Sequence, residues 1–112
     1  MIWFLRILLL SSFISFAIPT FAANAARGGV VAKVRCAPCH HLSSPYKQVG
    51  PSLLGIYGKK PSITGVPFAV WDKAALQAWL SNPRDIKANT KMRIPKLSAR
   101  DRDDIVAWLA SL

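Results

Sequence analysis

The pattern with the clearest chemical meaning is Cys36-Ala37-Pro38-Cys39-His40, a C-x-x-C-H run that contains both cysteines of the chain. Two cysteines at this spacing, followed directly by histidine, are typical of covalent haem attachment. The thiols add to the two vinyl groups of the haem, and the histidine ligates its iron. The sequence therefore predicts one haem iron and electron-transfer chemistry.

Three other interpretations of the two thiols compete with haem attachment. A C-x-x-C pair can act as a dithiol redox switch, but such motifs follow a strand in a βαβ unit, and no strand pattern precedes Cys36. Zinc binding needs a second ligand pair at finger-like spacing, whereas His40 and His41 directly follow Cys39. The third alternative is a chance C-x-x-C-H in a secreted, disulfide-bonded domain.

The first 25 residues resemble a secretory signal peptide. A short segment carrying Arg6 precedes an apolar run from Ile7 to Ile18, and small residues follow Pro19. The candidate cleavage motifs are Thr20-Phe21-Ala22 and Ala23-Asn24-Ala25, so we expect cleavage near residues 22–25. An uncleaved N-terminal membrane anchor is the alternative.

Export fits haem attachment, because c-type haem is attached on the outer side of the bacterial inner membrane. We therefore expect the protein in the periplasm, with residues 26–112 forming a single domain. A domain of this size usually needs a stabilising element besides its apolar core, and a buried haem provides one.

The chain is strongly basic, with a net charge of +10 at pH 7, and losing Arg6 with the signal leaves +9. A basic balance often indicates nucleic acid, but an exported domain rarely meets any. Redox partners with acidic docking faces fit better, with anionic lipid at a membrane surface as a second option. We expect a monomer.

Helix signals occur in three places. Residues 26–35 carry an apolar stripe that leads to Cys36, and residues 71–80 form an amphipathic helix that Asp72 can cap. Residues 98–112 begin with a capping-box pattern at Ser98 and end the chain. Segments 41–70 and 85–97 are predicted to be irregular, with a short helical turn near residues 53–57 and a helix stop at Pro83.

Met92 is the only methionine after Met1, and it lies in an irregular segment between two predicted helices. A lone methionine is usually a core gap-filler. After a C-x-x-C-H motif, however, a thioether in such a segment is a candidate second axial ligand.

These features together resemble class I c-type cytochromes over nearly all of residues 26–112. Gly50-Pro51-Ser52-Leu53-Leu54-Gly55 is similar to the G-P-x-L-x-G segment of that family, and Thr90-Lys91-Met92 to its T-K-M ligand loop. The resemblance implies an all-α fold of three main helices and long loops around one covalent haem. The haem-binding residues that it implies are Cys36, Cys39, His40, Pro51, Leu53, Trp71, Trp79, Thr90 and Met92.

The resemblance also assigns roles to these positions. The Pro51 carbonyl accepts a hydrogen bond from the ring of His40, Leu53 lines the proximal haem face, and Trp71 bonds a propionate. Trp79 lies beside the sulfur of Met92. Thr90 is a propionate or backbone partner.

One departure from the family pattern concerns helix packing. Ala32 stands four residues before the first cysteine, where the family usually has an aromatic residue. Gly28 is kept, and Trp108 replaces a tyrosine in the terminal helix. We expect the larger Trp108 to refill the lost volume.

The implied function is a periplasmic carrier of single electrons with His40 and Met92 as iron ligands, and not an enzyme. The alternatives are a haem enzyme or gas sensor with an open distal site, a cytochrome subunit of a periplasmic dehydrogenase, and a secreted dithiol protein without haem.

Overall fold

The computed structural model of the chain describes residues 12–18 and 22–112. In this part of the chain all regular secondary structure is helical, which confirms the all-α prediction. The helices are α1 (Ala25–Arg35), α2 (Lys73–Ser81), α3 (Pro83–Ile86) and α4 (Ala99–Ser111). Helix α1 packs against α4, and α2 packs against both α4 and α3. Three long helices and long loops therefore make up the fold.

Most of the expected signal peptide, residues 1–11 and 19–21, lies outside the described residues. The helices that the structure does describe are all too short or too polar to cross a membrane.

The predicted helix caps are present at the expected residues. The Asp72 carboxylate accepts a hydrogen bond from the Ala75 amide at 2.8 Å, and the Ser98 hydroxyl accepts one from the Asp101 amide at 3.0 Å. Each cap pairs an amide of the first turn that the helix itself leaves unpaired. The boundaries of α2 and α4 therefore follow from local sequence.

The segment after α2 differs from the prediction. Pro83 does not merely stop α2, which ends at Ser81; it also opens the short helix α3, so Asp85 and Ile86 are helical. The Asn82 side chain accepts a hydrogen bond from the Arg84 amide at 3.2 Å and caps this turn. Proline suits the first helical position because its fixed φ matches the helix and its missing amide hydrogen is not needed there.

The segment around residues 53–57 forms turns rather than a helical turn. Leu54-Gly55 and Tyr57-Gly58 are turn residues, and both glycines have positive φ angles of 66° and 81°. Two backbone hydrogen bonds of 2.8 Å then join this region to Trp71, from the Gly58 amide to the Trp71 carbonyl and from the Trp71 amide to the Lys59 carbonyl. These bonds fix the position of Trp71 just before α2.

Helix α1 approaches α4 most closely at Gly28. A Cβ atom at this position would collide with the backbone carbonyl of Asp104 and would lie 2.9 Å from the Ile105 amide nitrogen. Only glycine therefore permits this helix contact. Gly29 lies next to it, and there a Cβ atom would meet the indole of Trp108 at 2.8 Å.

The missing aromatic residue at Ala32 leaves no exposed gap. Ala32 is completely buried, and Trp108 is half-buried with its indole over Gly29. A large side chain of α4 thus lies against α1 about one turn before Ala32.

A polar clasp, which we define as Asn24, Arg27, Asp101 and Asp104, joins the start of α1 to α4. The Arg27 guanidinium donates to Asp104 and to Asp101, each at 2.7 Å, and the Asn24 amide donates to Asp104 at 2.7 Å. The Asp104 side chain is only 4% exposed. The Asp101 carboxylate therefore pairs with Arg27 of α1 and does not complete the capping box of α4.

The clasp makes part of the stability depend on pH. The Asn24 amide, and after it Arg27, hold the pKa of Asp104 below its ordinary value. As pH falls, the Asp104 carboxylate is protonated in the unfolded state before it is protonated in the folded state. The stabilisation is therefore present above about pH 5 and is lost as pH falls through the pKa of Asp104 in the folded protein.

We therefore expect Asp104→Asn to lower the midpoint of urea unfolding at pH 7. The difference from the parent protein is expected to shrink as the pH is lowered below about 4, where the Asp104 carboxylate of the unfolded parent protein becomes protonated. Asp85→Asn, at an exposed position of α3, is the control and should leave the pH dependence unchanged. A constant difference between Asp104→Asn and the parent protein from pH 7 to pH 3 would contradict this account.

Candidate haem site

The C-x-x-C-H motif forms a tight turn directly after α1. The Cys36 amide bonds the Ala32 carbonyl at 2.8 Å as the helix ends, and the His40 amide bonds the Cys36 carbonyl at 2.9 Å. The motif therefore continues the helical path for about one more turn. This geometry places both thiols and the imidazole on one compact segment.

His40 is held by the carbonyl of Pro51. The ring atom Nδ1 lies 2.6 Å from that oxygen, and the residue is only 9% exposed. Because a carbonyl can only accept, Nδ1 carries the hydrogen, and the neutral imidazole then has its lone pair on Nε2. A histidine oriented in this way is ready to bind a metal through Nε2.

The loop around Pro51 is itself fastened to the motif. The Gly50 amide donates to the Cys39 carbonyl at 2.8 Å, and the Leu53 amide donates to the His41 carbonyl at 2.9 Å. The Gln48 side chain donates to the Pro38 carbonyl at 3.1 Å. The position of the Pro51 carbonyl relative to His40 is thus set by hydrogen bonds on both sides of it.

Gly50 leaves room for the imidazole. A Cβ atom at this position would collide with the ring of His40, with Nδ1 at 2.8 Å and Nε2 at 3.0 Å. The Gly-Pro pair in the sequence indicates a turn, but it does not reveal that the glycine lies against the ring. No pattern in the sequence indicates the Gln48 hydrogen bond either.

Met92 is held by an aromatic side chain, as the resemblance implied. The indole nitrogen of Trp79 donates to the Met92 sulfur at 3.1 Å. The Met92 amide donates to the Thr90 hydroxyl at 3.2 Å, so Thr90, which is buried, acts as a backbone partner. These two bonds orient Met92 within the irregular segment between α3 and α4.

An aromatic group supports Trp79. Trp71 is 6% exposed, and its ring centroid lies 5.6 Å from that of Trp79 and 5.6 Å from that of Phe68. Pairs at these separations and tilted angles are favourable. The indole that contacts Met92 is therefore held by its neighbours and not only by α2.

The cysteines do not resemble a reactive dithiol pair. Both are free thiols; Cys36 is buried, and this burial raises the pKa of its thiol. A dithiol redox switch needs a lowered pKa, which makes the thiolate available. Within residues 12–18 and 22–112, moreover, no three His, Cys, Asp or Glu side chains are grouped so that they could hold a metal ion. The structure therefore favours neither the dithiol interpretation nor the zinc one.

Several apolar side chains are only partly buried, and a large, flat, apolar cofactor could cover their exposed parts. Leu53 and Met92, two of the predicted contacts, are partly buried and pack against the core. Other partly buried apolar side chains pack against the same core, namely Ile56, Ile63, Val66, Phe68 and Ile94. The free thiols, the oriented imidazole and these side chains fit a covalently attached haem.

This combination defines a class of protein, the small all-α haem proteins with covalent attachment. The comparisons with known proteins agree, since a family model described as "Cytochrome c" matches residues 25–112. The chain belongs to the cytochrome c family.

Relatives occur in distant organisms. A cytochrome c2 of Pararhodospirillum photometricum is 31% identical over 81% of this chain and 99% of its own. A cytochrome c of Theileria annulata is 34% identical over 75% of this chain and 82% of its own, and one of Euglena viridis is 29% identical over 80% and 97%.

As a member of this family, the chain carries one haem c, attached through Cys36 and Cys39, and it transfers electrons. The predicted cofactor and fold class are therefore confirmed. The assignment of the iron ligands and of the remaining haem contacts stays a prediction, which we develop below.

Proposed function

We propose that the protein is a periplasmic electron carrier whose haem iron is bound by His40 and Met92. The observation that carries the proposal is that both side chains are held by specific hydrogen bonds. Pro51 orients the ring of His40, and Trp79 orients the sulfur of Met92. Ordinary core or surface residues do not need this support, whereas metal ligands are commonly oriented by such partners.

The two partners have complementary effects on the ligands. The Pro51 carbonyl accepts from Nδ1, which makes the imidazole more basic at Nε2. The indole of Trp79 occupies one lone pair of the Met92 sulfur and leaves the other free. The sulfur is therefore aimed in one direction, and its electron donation is weakened.

The haem supplies a single iron that alternates between the ferric and ferrous states. Methionine ligation and burial in apolar surroundings favour the ferrous state and so raise the reduction potential. The chain itself fixes both ligands on hydrogen-bonded segments, so little rearrangement should accompany a change of charge.

Absorption of the ferric protein in the near infrared tests the ligand assignment. We expect the sulfur-to-iron charge-transfer band in the parent protein and its complete loss in Met92→Ala. Arg93→Ala, at the exposed neighbouring position, is the control and should keep the band. If the parent protein carries covalent haem without this band, or if its reduced form rapidly binds carbon monoxide, the assignment is wrong. The interpretation as an enzyme or gas sensor with an open distal site then takes its place.

The charge distribution supports docking to acidic redox partners. Residues 37–71 and 86–100 contain no carboxylate side chain. Two of the five aspartates, Asp101 and Asp104, are already paired with Arg27. Seven basic side chains, which we propose as the docking patch, are all exposed, namely Lys33, Lys47, Lys59, Lys60, Lys91, Arg93 and Lys96. Such a surface attracts acidic partners and speeds their association at low salt.

We propose that the protein acts as a monomer and carries electrons between separate redox partners. One alternative is that the protein is the cytochrome subunit of a periplasmic dehydrogenase. Another is that it binds to an anionic membrane surface. Nucleic acid is not an expected partner. A carrier should elute alone at its own mass from a periplasmic extract, whereas a subunit should elute with its enzyme.

A further inference from the structure

The structure distinguishes between the two candidate cleavage sites of the leader. One motif, Thr20-Phe21-Ala22, would release a chain that begins at Ala23. The other, Ala23-Asn24-Ala25, would release a chain that begins at Ala26. Both have a small residue at the position before the cut, so sequence alone does not choose between them.

Asn24 is part of the folded domain through three hydrogen bonds. Its side chain accepts from the Arg27 amide at 2.9 Å, its carbonyl accepts from the Gly28 amide at 2.9 Å, and its own amide donates to Asp104 at 2.7 Å. It is therefore both the N-cap of α1 and a member of the polar clasp. Cleavage at the second site would remove Asn24.

The two scissile bonds also differ in backbone conformation. Residues 22–24 are exposed and have no regular secondary structure. The bond between Ala25 and Ala26, in contrast, lies in the first turn of α1. Cleavage at the first site therefore leaves α1 whole, whereas cleavage at the second removes its first residue, Ala25.

We infer that signal peptidase cuts between Ala22 and Ala23, so that the mature chain keeps Asn24. This inference rests on the proposed export of the protein. Cutting at Ala25 would remove the cap of α1 and the amide partner of Asp104, and it would leave a carboxylate that is almost fully buried with one donor fewer.

The test is the intact mass and N-terminal sequence of the holoprotein, purified from the periplasm of cells that express the full chain with haem-attachment machinery. We expect a chain that begins at Ala23 with one haem. A chain that begins at Ala26, or an intact chain that begins at Met1, would overturn the inference. The charge-transfer band of the same sample reports on the carrier function separately, so the two proposals can fail independently.

Matched variants strengthen this test. Ala22→Gln is expected to block processing and leave the precursor, whereas Ala25→Gln should leave the cut after Ala22 unchanged. A domain exported behind a foreign signal and starting at Ala26 should melt about 4–8 °C below one that starts at Ala23, because it lacks the cap. Equal melting temperatures would overturn the structural reason for the choice.

Discussion

Replacing Gly28 with alanine should cost the domain much of its stability. The added Cβ atom would collide with the backbone carbonyl of Asp104, which cannot rotate away as a side chain can. Helices α1 and α4 must therefore separate, which also strains the polar clasp beside the contact. We expect a loss of about 3 kcal/mol, at the upper end for overpacking. The melting temperature should then fall by roughly 12–24 °C.

The neighbouring glycine provides a matched control. Gly29→Ala adds the same methyl group to the same helix and gains the same helix propensity of about 1 kcal/mol. Its Cβ atom, however, meets the side chain of Trp108, which can move. We expect Gly29→Ala to change stability by no more than about 1 kcal/mol. Equal losses in calorimetry for the two variants would show that the backbone contact at Gly28 is not what limits this position.

The second large effect is expected at Gly50. In Gly50→Ala the new methyl group would occupy space that the ring of His40 fills, so the ring must tilt and its hydrogen bond to Pro51 must lengthen or break. Loss of such a supporting contact typically weakens metal binding by about 10- to 100-fold. Because the thiols still hold the haem, the haem content should stay the same while the ferric spectrum changes from low-spin towards high-spin.

Gly65→Ala separates this steric effect from general destabilisation. At Gly65 a Cβ atom would meet only the end of the flexible Lys87 side chain, with Nζ at 3.3 Å, but the φ angle of 78° makes alanine unfavourable. We expect a stability loss of about 1–2 kcal/mol from the backbone alone and an unchanged iron spectrum. If Gly50→Ala also keeps the low-spin spectrum, the ring of His40 is not constrained by the loop as we describe.

Local patterns predicted the parts of the fold that depend on local physics. The apolar periodicity of α1, α2 and α4, together with the caps at Asp72 and Ser98, identified these helices to within one or two residues. The C-x-x-C-H motif identified the cofactor, since its chemistry depends on residues adjacent in sequence. In each case the determining contacts lie within a few residues of one another.

The features that sequence did not predict depend on distant contacts or on competition between partners. Asp101 matches a capping-box pattern, yet its carboxylate pairs with Arg27, which lies 74 residues away. Asn24 appeared to belong to the leader, although Asp104, 80 residues away, bonds its amide. Helix α3 was missed because Pro83 was interpreted only as a stop signal, while Asn82 and Pro83 together begin a new turn.

The two predicted iron ligands are each positioned by a residue nearby in sequence. Pro51 lies 11 residues from His40, and Trp79 lies 13 residues from Met92. Each half of the site is thus a self-contained module, and neither needs the other to orient its ligand. A single substitution in one module can therefore adjust the driving force for electron transfer during evolution, while the other module and the attachment chemistry stay as they are.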